Sequence, residues 1–225
     1  EDFNLYLKCK NFDKISTTFL QKPSLLSGHA SWIQWDIEPT NEGVLFSGLA
    51  ISHDSLAQEL LFFKGNEGQN LKAPEVLPKN TAFFCSWSFE NFEQYQRKKI
   101  RALELLHQKK KYELHLKGLD SSIQKEFINW IDSEFCYFIS ENGNKTSPGI
   151  TLDLKQSSLV EEYLASYADS VFEYRSEPIF KWETLKYFAY IGNYTNTSDL
   201  KFACVLKEQL ILCADQGMLK NLIND

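Results

Sequence analysis

No stretch of this sequence approaches the roughly 20 consecutive apolar residues that a membrane-spanning helix needs. Nor is there a basic excess: 24 Lys and Arg stand against 30 Asp and Glu, a net charge of −6. Nucleic-acid binders neutralise phosphate with a basic face, so no nucleic-acid partner is expected. No signal-peptide pattern is present. A chain that opens on Glu1 is read as processed or truncated, which leaves the compartment open. The five cysteines (Cys9, Cys85, Cys136, Cys204, Cys213) contain no C-x-x-C pair, and their odd number leaves at least one outside any intramolecular bridge. They read as small buried hydrophobes.

Signatures of catalysis are missing as well. His29, His53, His107 and His115 show no H-E-x-x-H or H-x-H spacing, and none pairs with cysteine at zinc spacing. There is no G-x-S-x-G elbow, no phosphate-binding G-x-x-x-x-G-K-S/T loop and no G-x-G-x-x-G. "SHDS" (Ser52 to Ser55) holds the residue types of a hydrolase triad, but adjacency is not triad geometry. Between a strand and a helix, Asp54 or Ser55 reads as a cap. Asp36 and Asp153 lie in alternating strands and are expected to face solvent, whereas a general acid would need burial. No catalytic residue, cofactor or metal ligand is expected.

What is present is the composition of an ordinary globular protein, 43% hydrophobic and 24% charged, with 225 residues available to bury a core. Aromatic residues, 14% of the chain, fall mostly in strand-like runs, where packing accounts for them.

Two passages resemble one another. Leu5-Tyr6-Leu7 aligns with Ala82-Phe83-Phe84, and Asn11 to Ile15 aligns with Ser88 to Phe92. Each is a β-rich run followed by a polar N-cap candidate (Asn11 or Ser88) and apolar residues at helical spacing. Further on, "LAISHDSLAQELL" (Leu49 to Leu61) aligns with "LDLKQSSLVEEYL" (Leu152 to Leu164), and Trp32 and Trp35 fall on Phe135 and Phe138. Ser55 and Ser158 are cap candidates. Leu56, Leu60 and Phe63 form one expected apolar stripe, and Leu159, Tyr163 and Tyr167 form the other.

The order strand, helix, hairpin, helix therefore reads as occurring twice. The first module is 1–74. The second is 75–170, with a helical insertion at about 105–131 that includes an amphipathic helix from Ser121 to Ile131. Strand-like runs Tyr187–Tyr194, Lys201–Lys207 and Gln209–Ala214 follow within 171–225, closed by a helix from Asp215 to Ile223. The expected class is α+β: antiparallel sheet with helices packed on one face, in one compact structural unit.

"LPKNTAFF" followed by "SFENF" resembles a strand lead-in found in a family of uncharacterised bacterial envelope proteins. There an "LP-x-N/D-T-A" strand runs into a helix and such modules repeat. The hairpin "SWIQWDIEPTNEGVLFSGLA" is similar to that family's tryptophan-led strand, turn and "L-x-x-x-G" return strand. The resemblance implies an extracytoplasmic domain, periplasmic or outer-membrane associated, often tethered to the membrane through other parts of its chain. It carries no catalytic residues over.

A non-catalytic module acting by protein contact is the first functional expectation, and its partner is unidentified. A small-ligand or glycan-binding module using exposed aromatics among Trp32, Trp35, Trp87, Trp130 and Trp182 is the second. Positive charge concentrates on an expected long helix from Phe89 to about Lys111: Arg97, Lys98, Lys99 and Arg101, then Lys109, Lys110 and Lys111. With Phe89, Phe92, Ile100, Leu103 and Leu106 as the buried stripe, the bases lie opposite. Arg97, Lys98, Arg101, Lys109 and Lys110 are the candidate interaction surface, for an acidic partner or anionic headgroups. Sequons occur at Asn144, Asn193 and Asn196. Finally, a hairpin turning at Glu208-Gln209 would set Cys204 directly opposite Cys213, either as buried thiols or as a bridge.

Overall fold

The computed structural model describes residues 3–20, 26–41, 44–53, 58–117, 120–142, 145–183 and 200–224. The chain gathers into two compact units, Glu1–Gly65 with Tyr95–Lys109, and Asn66–Gln94 with Lys110–Asp225. These boundaries cut the chain differently from the modules expected at 1–74, 75–170 and 171–225. The α+β class is as read: both sheets are antiparallel and helices lie between strands.

The first unit holds a three-stranded meander, β1 (Phe3–Lys8), β2 (Trp32–Pro39) and β3 (Val44–Ile51), in that spatial order. Helix α1 (Cys9–Leu20) follows β1, with the short α2 (Leu26–His29) after it. Helix α1 begins at Cys9, ahead of the expected cap at Asn11, and the Cys9 amide donates to the Ser31 carbonyl at 3.1 Å. Cys9, Ala30 and Ile33 form a small core with Trp35 packed on it. Gly48 lies so close to β2 that a Cβ there would come within 1.9 Å of the Gln34 carbonyl oxygen, so only glycine permits this approach. Where a helix carrying Leu60 and Phe63 inward was expected, residues Glu59–Phe63 form a 3-10 turn that buries Phe62. Asp54 and Ser55 fall outside the described residues.

Helix α3 (Phe92–Leu105) starts later than expected. Ser88 ends a strand, and the cap is Asn91, whose Oδ1 accepts from the Gln94 amide at 3.1 Å. It also ends sooner, so the long helix to Lys111 is interrupted. His107 takes a left-handed φ of 56°. Its amide donates to the Glu104 carbonyl and the Gln108 amide to the Leu103 carbonyl, the paired bonds of a Schellman C-terminus. Helix α4 (Lys109–Leu116) is a separate element.

The second unit is built on a seven-stranded sheet of order β4-β5-β6-β10-β9-β8-β7. The strands are β4 (Thr81–Ser88), β5 (Ile131–Asn142), β6 (Lys145–Leu154), β7 (Ser170–Tyr174), β8 (Glu177–Lys181), β9 (Phe202–Leu206) and β10 (Gln209–Cys213). Its helices include α5 (Ser121–Trp130), capped by Asp120 on the Ser122 amide, α6 (Ser157–Tyr167) and the closing α7 (Gln216–Asn224). The hairpin β7–β8 turns through Arg175-Ser176, both at positive φ, as a type I′ turn requires. Sequence alternation did not reveal that hairpin. The run Tyr187–Tyr194 lies outside the described residues.

Both faces of the central strands of this sheet are buried. Cys204, Ile211, Cys213 and Phe138 pack with Met218, Leu219 and Leu222 of α7. Their strand neighbours Ala203, Val205, Leu210 and Leu212 point the other way and are buried too. Strand β10 lies between β6 and β9 with both edges paired, helix α7 covers one face, and α6 lies against the neighbouring β9. Helix α6 buries Val160 and Leu164, while Leu159 and Tyr167 of the expected stripe are 55% and 53% exposed. The inward face is rotated by one residue from the one the aromatic spacing indicates.

Candidate functional site

The five bases read as one surface do not share a helix. Arg97, Lys98 and Arg101 are on α3, and Lys109 and Lys110 are on α4. Arg97 and Arg101 are exposed. The Lys98 ammonium donates to the Lys64 carbonyl at 2.7 Å, and Lys109 pairs with Glu104 at 2.6 Å. Lys99 departs most from expectation: it is wholly buried. The inward residues of α3 in the first unit are Tyr95, Gln96, Lys99, Ala102 and Leu103, helical spacing that runs through Lys99, whereas Ile100 is 36% exposed. Burial pushes the Lys99 ammonium down to about 7, opposed by the Glu59 carboxylate. Glu59 also meets His29 Nδ1 at 2.5 Å, and that hydrogen bond raises the His29 pKa.

Asp36 is exposed as expected, but Asp153 is fully buried. A lysine on the segment before β4 reaches across to it: Lys72 Nζ lies 3.0 and 2.9 Å from the two carboxylate oxygens. Ser133 Oγ donates to Oδ2 at 2.7 Å and Gln209 Nε2 to Oδ1 at 3.0 Å. Beside it the buried Glu134 accepts from the Lys72 amide at 2.5 Å, from the Ala73 amide at 3.1 Å and from Ser86 Oγ. Each carboxylate is occupied by donors that tie residues 72–73 onto the sheet. The arrangement fastens a segment; the Asp153 oxygens already hold four donor groups. No sequence signal marks it, because Asp153 meets Gln209 and Lys72 only through strand pairing and packing between segments far apart in the chain.

His53 and His107 are exposed, and the side chain of His115 lies outside the described residues. Among the described residues no group of three or more His, Cys, Asp and Glu could hold a metal ion, and no helix is long and apolar enough to cross a membrane. The three sequon asparagines lie outside the described residues. Of the tryptophans, Trp32 is 43% exposed with Lys8 Nζ 5.5 Å from its ring centroid, Trp35 and Trp87 are half-buried, and Trp130 and Trp182 are buried. Cys204 does not face Cys213 directly. The turn is Lys207-Glu208, both at positive φ, so Cys204 pairs with Ile211 and Cys213 with Phe202.

The least expected surface is β3. Every residue from Val44 to Ile51 is exposed, including Val44, Leu45, Phe46, Leu49 and Ile51 at 52–70%. The strand carries no charge and no proline, the devices that usually blunt a sheet edge. The opposite edge, β1, ends in Lys8. Among the described residues β3 pairs only with β2.

Comparison of the chain with protein-family models, with curated proteins and with solved structures finds no match in any of the three.

Proposed function

We propose that this chain is a non-catalytic protein-interaction module in which the open edge of β3 takes up an extended strand, the occupant being β3 of a second copy. One observation carries the reading. The two meanders β1-β2-β3 and β4-β5-β6 have the same strand order, yet β6 is flanked by β10 while the corresponding side of β3 has no partner among the described residues. The shared order supports reading the meanders as copies of one module.

Pairing about a two-fold axis between Ser47 and Gly48 sets Phe46 opposite Leu49 and Leu45 opposite Ala50, apolar cross-strand pairs with no like charges opposed. The exposed side chains leave on the order of 500 Å² on each β3, and edge pairing covers only part of it, which puts the assembly in the weak, concentration-dependent range below about 1,000 Å². The likeness to envelope modules supports an extracytoplasmic setting within a larger protein.

Sedimentation over a concentration series tests the assembly. A concentration-dependent dimer that reverts to monomer in Phe46→Lys and Leu49→Lys supports the reading. A chain that stays monomeric up to roughly 100 μM, near −5.5 kcal/mol of association free energy, overturns it. Turnover on a hydrolase panel that Asp153→Asn abolishes would overturn the non-catalytic part.

A further inference from the structure

The face of α6 that sequence spacing assigns to the core lines a cleft of about 580 Å³ instead, within the range of small-ligand sites. Its walls come from α5, α6 and the loop between β6 and α6. Tyr163 and Tyr167, one helical turn apart, stack at 4.4 Å between centroids with 24° between planes. Trp130 meets Tyr163 edge-on at 4.8 Å, and the buried Trp182 lies behind both tyrosines at 6.4 and 6.3 Å. The rings are thus held before any ligand arrives, while Tyr167 keeps about half its surface open. Beside them Asn129 and Gln156 offer amides, and Glu126 and Glu162 offer carboxylates, with Lys155 supplying positive charge.

We infer that this cleft binds a neutral saccharide, with a pyranose ring laid on the outer face of Tyr167, which Tyr163 backs, and its hydroxyls taken by the carboxylates and amides. The C–H bonds on one face of a sugar present partial positive charge, which suits the negative face of an aromatic ring. A hydroxyl both donates and accepts. Carboxylates accept and side-chain amides do both, so vicinal hydroxyls find matching partners. Pre-ordered rings spare the entropy of fixing them on binding. Two carboxylates against one ammonium disfavour phosphorylated or uronic ligands, which would stack equally well but bring like charge.

The site is separate from the β3 edge and its test does not depend on assembly. The full chain is titrated with cellobiose, maltose and N,N′-diacetylchitobiose, followed by saturation-transfer NMR and intrinsic fluorescence. Saturable binding of at least one, at millimolar or tighter affinity, is expected. Tyr167→Ala should weaken it about tenfold or more, and Glu162→Gln severalfold, with unchanged unfolding midpoints and unchanged sedimentation. No saturable response to any of the three sugars overturns the inference. So does binding that survives Tyr167→Ala intact, or that is lost instead in Trp32→Ala.

Discussion

Lys72 and Asp153 form an ion pair in which both carboxylate oxygens lie within 3.0 Å of one ammonium, with the carboxylate fully buried and the lysine side chain 44% exposed. Removing the two ends should therefore have unequal effects. Asp153→Ala strands Ser133 and Gln209 donors in the sheet and should cost about 3 kcal/mol, read from the denaturant midpoint. Lys72→Met leaves those donors on the carboxylate and lets water take the place of the half-exposed ammonium, so a smaller cost, about 1 to 2 kcal/mol, is expected. The bond to Asp153 raises the Lys72 pKa above its ordinary 10.5. Its contribution is thus complete below that value and lost as pH climbs through the raised one. Equal costs for the two variants would contradict this assignment.

Lys99 should show itself as a pH-dependent liability. Its folded pKa of about 7 lies below the ordinary 10.5, so between those values the unfolded chain binds more protons and stability rises with pH. Below about 7 both states are charged and the burial penalty is complete. Lys99→Met should unfold later than the parent at about pH 6, by about 1 kcal/mol or more, with the difference closing toward alkaline pH. His29 has the opposite sign: its raised pKa makes its contribution strongest in acid, and it is present in both proteins. Arg101→Glu, on an exposed position, should shift stability by about 0.5 kcal/mol or less. A flat difference between parent and Lys99→Met across pH would show that Lys99 titrates normally.

All five cysteines are free thiols. Cys204 and Cys213 share a face but sit diagonally, about 7–8 Å apart, beyond the usual Cα span of a disulfide. Burial pushes the Cys213 and Cys136 thiols up to about 12 and raises Cys204 as well, and Cys213 Sγ donates to the Asp215 carbonyl at 3.0 Å. A thiol reagent at neutral pH should meet the half-buried Cys85 first and leave the others silent until unfolding. Five thiols should then be counted without reductant. A count of three would mean that a bridge forms.

Helix α6 offers a comparison of neighbouring faces. Leu164→Ala empties a fully buried position and should cost about 3 kcal/mol. Leu159→Ala, at 55% exposure on the cleft side, should cost about 0.5 kcal/mol or less. Similar losses at both positions would mean that the helix is rotated from the orientation described.

Local sequence determined most of the elements and little of their partnering. The hairpins β2–β3 and β9–β10, the helices α5 and α7, and the α+β class follow from periodicity and turn residues, because alternation and helical spacing are properties of neighbouring residues. Lys207-Glu208 evaded that reading because two non-glycine residues adopt positive φ there, placing the turn one residue early and setting the cysteines on a diagonal. Helical spacing shows which residues share a face, but not which face another element covers. Tyr163 and Tyr167 therefore line a cleft while Val160 and Leu164 fill the core, and Lys99 lies inside while Ile100 reaches the surface. The same limit applies to Asp153, whose alternating strand looks half-exposed until β10 and the segment around Lys72 close over it. Strand edges are the extreme case. Nothing within Val44 to Ile51 or Lys145 to Leu154 tells which will gain a second neighbour, since that depends on backbone groups supplied from far along the chain, and only the tertiary structure places β10 beside β6 and, among the described residues, gives β3 no neighbour but β2.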